Sequence, residues 1–177
     1  EILPHLRDVP VFVGGGIGRG DAIALYMEMG AAGCQIGTRF VCATESIAHK
    51  NFKKIILHAK ARDAQLSVQF DPDFPVIPVR ALTNKATEQF FVAQRDAIAR
   101  YRAGELDQKE AQLVIEHFWA GSLRRAVIDG DVEHGSLMAG QSVGMVEREQ
   151  PIADIVEELM SQAIQTLAER IRRLSTG

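Results

Sequence analysis

Apolar and polar positions follow different rhythms in different stretches of this chain. Val9 to Val13 reads V-P-V-F-V, a short unbroken apolar run. That pattern predicts a strand buried on both faces, as in a parallel sheet. The run ends in Gly14-Gly15-Gly16-Ile17-Gly18-Arg19-Gly20. Asp21 then suits the cap of a helix over Ala22–Met29, with Ile23, Tyr26 and Met29 on one face and Gly30 as its stop. Ala32 to Ile36 predicts a second short buried strand, closed by Gly37-Thr38. A further helical pattern opens near Thr44 or Glu45. Two strands joined by a helix are the repeating unit of an α/β fold. No third unit of this kind follows, so the stretch reads as the end of such a fold.

The middle of the chain changes character. Asp71 to Pro78 contains three prolines and reads as a loop or extended excursion. Ala86 to Ala103 is helical in pattern and stops at Gly104. Asp107-Gln108-Lys109-Glu110 resembles a capping box opening a helix toward His117 or Ala120. Gly121 to Asp129 fits another short helix, and Ser136 to Gly144 a small-residue loop. From Pro151 onward the pattern is clearest. Ile152, Ile155, Val156, Leu159, Met160, Ala163, Leu167, Ile171 and Leu174 fall at helical steps and predict one packed stripe. Three segments are therefore expected: residues 1–60, 61–150 and 151–177.

Composition narrows the function classes. Hydrophobic residues make up 46% and charged residues 24% of 177 residues, with net charge −3. This is ordinary globular composition, and it argues against nucleic acid or an anionic membrane as partner. Cytoplasm is the default compartment. The two cysteines, Cys34 and Cys42, sit in unlike contexts, and no Cys/His cluster has ligand spacing. Packed thiols are expected, with neither a disulfide nor a metal.

The two glycine loops carry the candidate chemistry. Consecutive glycines let backbone amides converge on an anion, and a helix start nearby favours negative charge. The first loop is not a Walker A motif, because Asp21 rather than Lys follows Gly20, and it does not fit G-x-G-x-x-G. Alone it is as well explained by a tight strand-to-helix turn. Gly37-Thr38, at the end of the next strand, shifts the reading. Loops after adjacent strands of a (β/α)₈ barrel often bind one phosphate together, and Thr adds a hydroxyl donor.

At this point a resemblance emerges. V-P-V-F-V-G-G-G-I, G-A-A-G-C-Q-I-G-T-R-F and A-T-E-S resemble the barrel end of the nitronate monooxygenase (2-nitropropane dioxygenase) family. P-V-R-A-L-T-N-K and G-D-V-E-H-G-S-L-M-A-G-Q-S-V-G resemble it too, and the similarity runs from about Val9 to Glu158. Flavin-type enoyl-acyl-carrier-protein reductases share much of this motif set. The resemblance implies an α/β fold: the C-terminal part of a TIM-type (β/α)₈ barrel followed by a mainly helical segment. It implies an FMN-dependent oxidoreductase acting on a small molecule, either a nitronate with O₂ or an enoyl thioester with NAD(P)H. The class outside catalysis is a phosphate-binding or interaction module. Gly15 and Gly16, then Gln35, Ile36, Gly37 and Thr38, would hold the cofactor, and Gln141 would lie near it.

The family's catalytic histidine belongs to an earlier barrel strand, so no residue here is assigned to catalysis. His5, His58 and His117 read as surface or core residues, His49 as a helix cap or packing group, and His134 as part of a polar turn. Arg39 would either balance the phosphate or pair with an acid elsewhere. Arg80 and Lys85 read as surface charges, and Phe118, Trp119, Met138 and Met145 as packing. Half a barrel exposes sheet edges, so the chain is expected to need the barrel's N-terminal part. Its oligomeric state, homo-oligomer included, stays open.

Overall fold

The Val-rich run forms strand β1, Phe12–Gly14, which pairs in parallel with β2, Gly33–Gln35, in the register Phe12 to Gly33, Val13 to Cys34 and Gly14 to Gln35. Helix α1, Gly20–Glu28, connects them and completes the expected βαβ unit. Gly30, at φ +98°, turns the chain back toward β2. The computed structural model describes residues 3–6 and 8–175. By its internal contacts the chain divides into two units, Glu1–Ser46 with Gly140–Gly177, and Ile47–Ala139.

In the first unit, α2, Thr38–Val41, starts directly on the second glycine loop. No helix begins at Thr44 or Glu45, where the pattern had suggested one. Instead both Glu45 carboxylate oxygens accept from the Ile152 amide, at 3.1 and 3.0 Å. Ile152 opens α7, Ile152–Ser175, and a carboxylate at its first amide suits the positive end of the helix.

Helix α7 packs on α1 through Ile155, Leu159 and Ala163, which are buried. Ile155 and Leu159 join Ala43 in a small core that Ile23, Ile36 and Phe40 flank. The expected stripe was wider than the one that packs: Ile152, Val156, Met160, Ile171 and Leu174 are exposed. Strand burial also falls short of the reading. Phe12 is 66% exposed, because the sheet has only two strands among the described residues. Its ring lies over Gly33, where a Cβ would come within 2.8 Å of it.

The second unit opens with α3, Lys50–His58, capped by His49, whose Nδ1 accepts from the Asn51 amide. The expected proline-rich excursion joins two antiparallel strands that the pattern did not reveal, β3, Ala64–Leu66, and β4, Arg80–Leu82. Helix α4, Lys85–Arg102, follows, with a capping box between Asn84 and Thr87. Helix α5, Gln108–His117, has the expected box between Asp107 and Glu110. Helix α6, Ser122–Val127, follows Gly121. Phe74, Phe90, Ala97, Ile98, Ala111 and Ile115 form the core, with Phe118 and Trp119 against it. Rings of Phe90, Phe118 and Trp119 lie about 5 Å apart, the packing role expected of them.

One backbone contact sets the geometry of the first unit. A Cβ on Gly20 would lie 2.0 Å from the Leu159 carbonyl and 2.6 Å from the Ala163 nitrogen. Both atoms are backbone, so a methyl group can be accommodated only by moving a helix. Gly20→Ala is expected to lower stability by about 3 kcal/mol. Chemical denaturation checks this; an unchanged midpoint would mean that α1 and α7 part without cost.

Candidate functional site

The ends of β1 and β2 and the start of the Gly140 loop surround a depression of about 310 Å³. Its lining is Gly14, Gly15, Gly16, Ile17, Gln35, Gly37, Thr38, Gly140 and Ser142. The structure thus brings together Gly15, Gly16, Gln35, Gly37 and Thr38 from two loops, five of the residues that the resemblance implied. Ile36 points elsewhere and packs beside the Ala43–Ile155–Leu159 core. Gln141 is exposed and outside the lining, while its neighbours Gly140 and Ser142 line it. The small-residue composition of that loop was the signal for them: Gly and Ser allow close approach, and a long Gln side chain does not.

The lining is made for backbone exposure. Gly15 and Gly16 have φ of +95° and +72°, a region that residues with a Cβ rarely enter. A Cβ at Gly15, Gly16 or Gly37 would meet nothing within 4 Å, so each would project into open space. Among the described residues, the amides of Gly15, Gly16 and Gly37 donate no hydrogen bond. The Thr38 hydroxyl accepts from the Gly140 amide at 2.9 Å. Its own proton therefore stays available as a donor. No lining side chain carries a charge. The donor set is neutral, unpaired and free of Cβ crowding, which fits an anionic oxygen cluster such as a phosphate.

Arg39 does not face this depression. It is 5% exposed and spends its guanidinium within the first unit. Nη1 donates to the Met145 carbonyl at 2.9 Å. Nη2 donates to Gln150 Oε1 at 2.9 Å and to Glu158 Oε2 at 2.7 Å. Gln150 Nε2 donates to the same Glu158 oxygen at 3.0 Å, and Gln162 Nε2 to the other at 3.3 Å. Of the two roles the sequence left open for Arg39, the structure supports pairing with an acid.

In the second unit, Arg80 donates to the Ala64 carbonyl, Lys85 pairs with Glu133, and His134 contacts Asp131. A cavity of about 270 Å³ lies there, lined by Leu66, Val79, Ala81, Phe90, Phe91 and Trp119 among others. Its one charged lining residue is Glu88, whose carboxylate opposes an anion, so the glycine depression is the stronger candidate for a phosphate. Cys34 and Cys42 are outside disulfides. Among the described residues no group of three His, Cys, Asp or Glu side chains is placed to hold a metal, and no helix is long and apolar enough to cross a membrane.

Glu158 titrates below the usual carboxylate range, first because Gln150 donates to it and then because Arg39 lies beside it. A depressed carboxylate contributes stability that is present above its unfolded pKa and lost as pH falls through the folded value. The wild type should therefore lose stability below the ordinary glutamate range. Glu158→Gln should be less stable at neutral pH and show less of this acid loss. Melting temperatures across pH 2–7, on the scale of ordinary carboxylate titration, check both; parallel curves would remove Glu158 from the account.

A model of the nitronate monooxygenase family matches residues 2–162. Nitronate monooxygenase of Neurospora crassa is 25% identical over 168 residues, covering 95% of this chain and 40% of that protein. The (3aS,4S,5R,7aS)-5-hydroxy-7a-methyl-1-oxo-octahydro-1H-indene-4-carboxyl-CoA dehydrogenase of Rhodococcus jostii is 23% identical over 181 residues, covering 90% of this chain and 51% of that protein. Among solved structures, FabK from Thermotoga maritima superposes with a TM-score of 0.76 at 30% identity, over 94% of this chain and 48% of that chain. The chain spans about half the length, or less, of the proteins it matches.

Proposed function

This chain belongs to the nitronate monooxygenase family, and from that premise we propose that it forms the phosphate-holding side of an FMN-dependent oxidoreductase. The observation that carries the reading is the depression itself, in which three unpaired glycine amides and the Thr38 hydroxyl meet without a Cβ between them. Gly15, Gly16, Gly37 and Thr38 would hold the FMN phosphate, with Gln35 beside them; Ile36, whose side chain packs in the core, and Gln141, which is exposed, would contribute through their backbone alone. The β1–α1–β2 unit and α2 would then be the last two βα units of a TIM-type barrel. The strand edges and the exposed Phe12 are the faces that the rest of that barrel would cover.

FMN, when bound, supplies the electron transfer. The residues of this chain do other work. The lining contains glycine, isoleucine, glutamine, threonine and serine, none of which exchanges a proton near neutral pH. They bind and orient; they do not act as acid or base. The substrate is proposed to be an alkyl nitronate, oxidised with O₂.

A second reading has its own support. FabK superposes over nearly the whole chain at 30% identity, and the Rhodococcus relative is named for a CoA thioester. On that reading the protein reduces an enoyl thioester with NAD(P)H.

The intact protein is expected to purify yellow, with about one FMN per chain, and to consume O₂ when given a nitronate. Gly16→Val forces a β-branched residue into a positive φ and should abolish both. Thr38→Val should weaken FMN binding about tenfold, the cost of one hydrogen bond to a charged group. Flavin fluorescence and an oxygen electrode read these outcomes. Rapid anaerobic bleaching of the flavin by NAD(P)H, without nitronate turnover, would transfer the assignment to the thioester reading. No flavin under any condition would withdraw both.

A further inference from the structure

The depression is lined by three segments far apart in sequence: Gly14–Ile17, Gln35–Thr38 and Gly140–Ser142. Among the described residues, the bond from the Gly140 amide to Thr38 joins lining residues of the last two segments directly. A hydrogen-bonded path behind the depression joins all three. The Gly20 amide, at the end of the first loop, donates to Gln162 Oε1 at 2.8 Å. Gln162 Nε2 donates to Glu158, and Glu158 accepts from Arg39, which directly follows Thr38. Arg39 then donates to the Met145 carbonyl, at the end of the turn Gln141–Met145 that carries Ser142. Gly18 closes the circuit from the other side. A Cβ there would meet Met145 Sδ at 2.8 Å and Ser142 Cβ at 3.1 Å.

We propose that Arg39 and Glu158 are positioning residues of the phosphate cradle, an ion pair that holds its three loops in register from behind. The proposal rests on the reading that the cradle takes the cofactor's phosphate. Three features of the pair suit the role. Its charges compensate each other, so the cradle in front keeps neutral donors only. Arg39 uses two nitrogens on separate acceptors, Met145 on one side and Gln150 with Glu158 on the other. A lysine presents a point charge and cannot span both. Glu158 uses both oxygens, one toward Arg39 and one toward Gln162, so it links the second loop to the first. Donors aimed at one anion must stay within about 0.5 Å of their places to act together, and such precision comes from a supporting layer of this kind.

Riboflavin separates positioning from plain structural support, because it shares the ring and ribityl chain of FMN and lacks the phosphate. The intact protein, stripped of flavin, is titrated with each flavin and binding is read by fluorescence quenching. The wild type is expected to prefer FMN by about 100-fold. Arg39→Lys and Arg39→Met are both expected to weaken FMN by about 10-fold or more while leaving riboflavin within about twofold. Should the Arg39 variants fail to fold, Gln162→Met leaves the ion pair in place and cuts only the link to Gly20; it should reduce the same ratio to a smaller degree. Equal losses for both flavins would overturn the proposal and make the network merely structural. Unchanged FMN affinity in folded variants would overturn it as well. A wild type that binds both flavins alike would overturn the phosphate reading itself, a result distinct from either.

Discussion

Helix α7 comes so close to α1 that only hydrogen fits between the Gly20 Cα and the backbone at Leu159 and Ala163. The rest of the first unit depends on that approach. It brings Gln162 within reach of the Gly20 amide and sets Glu158 opposite Arg39. Through Arg39 it also anchors the turn that ends at Met145. A burial argument alone would treat α7 as an amphipathic helix covering a small core. The polar contacts give it a second role, because one turn of its surface, from Glu158 to Gln162, holds groups from both glycine loops.

How much of this was legible depends on the range of the interaction. The glycine loops, the parallel pair and the capping box at Asp107 are local signals, since glycine conformation and cap chemistry are decided within a few residues. Strands β3 and β4, Ala64-Gln65-Leu66 and Arg80-Ala81-Leu82, were missed because they lack the glycine loop and helix start that made the equally short β1 and β2 readable. Glu45 was read as part of a helix start because its partner, the Ile152 amide, lies 107 residues away. The overly wide stripe on α7 has the same origin. Helical spacing tells which residues share a face, but the width of the covering surface is a tertiary fact. In the candidate site, the two loops were readable from their glycines, whereas the role of Arg39 needed Glu158, 119 positions on.

The chemistry of the cradle follows from what it leaves out. It has no cationic side chain among its lining residues, although a buried arginine lies just behind Thr38. A pocket of neutral donors recognises an anion by the shape of its oxygen cluster more than by its charge. Such a site discriminates by geometry, and geometry is what the Arg39–Glu158 pair supplies. The division of labour matches that of many cofactor sites, where the groups nearest the ligand are simple and the precision resides one layer out.

The first unit is also discontinuous: its two parts are separated in sequence by the whole of Ile47–Ala139. During synthesis on the ribosome, β1, α1 and β2 emerge well before α7. Gly20 and its partner Gln162 are 142 residues apart, and at roughly 5–20 residues per second this interval is about 7–30 s. Throughout that time the apolar strands and the unpaired glycine loops have no α7 to close on, while Ile47–Ala139 is being made. The strands thus meet their greatest hazard of misassociation before α7 is translated. Slow translation between Gly20 and Gln162, or a chaperone engaged with β1 and β2, would bear directly on the yield of folded protein.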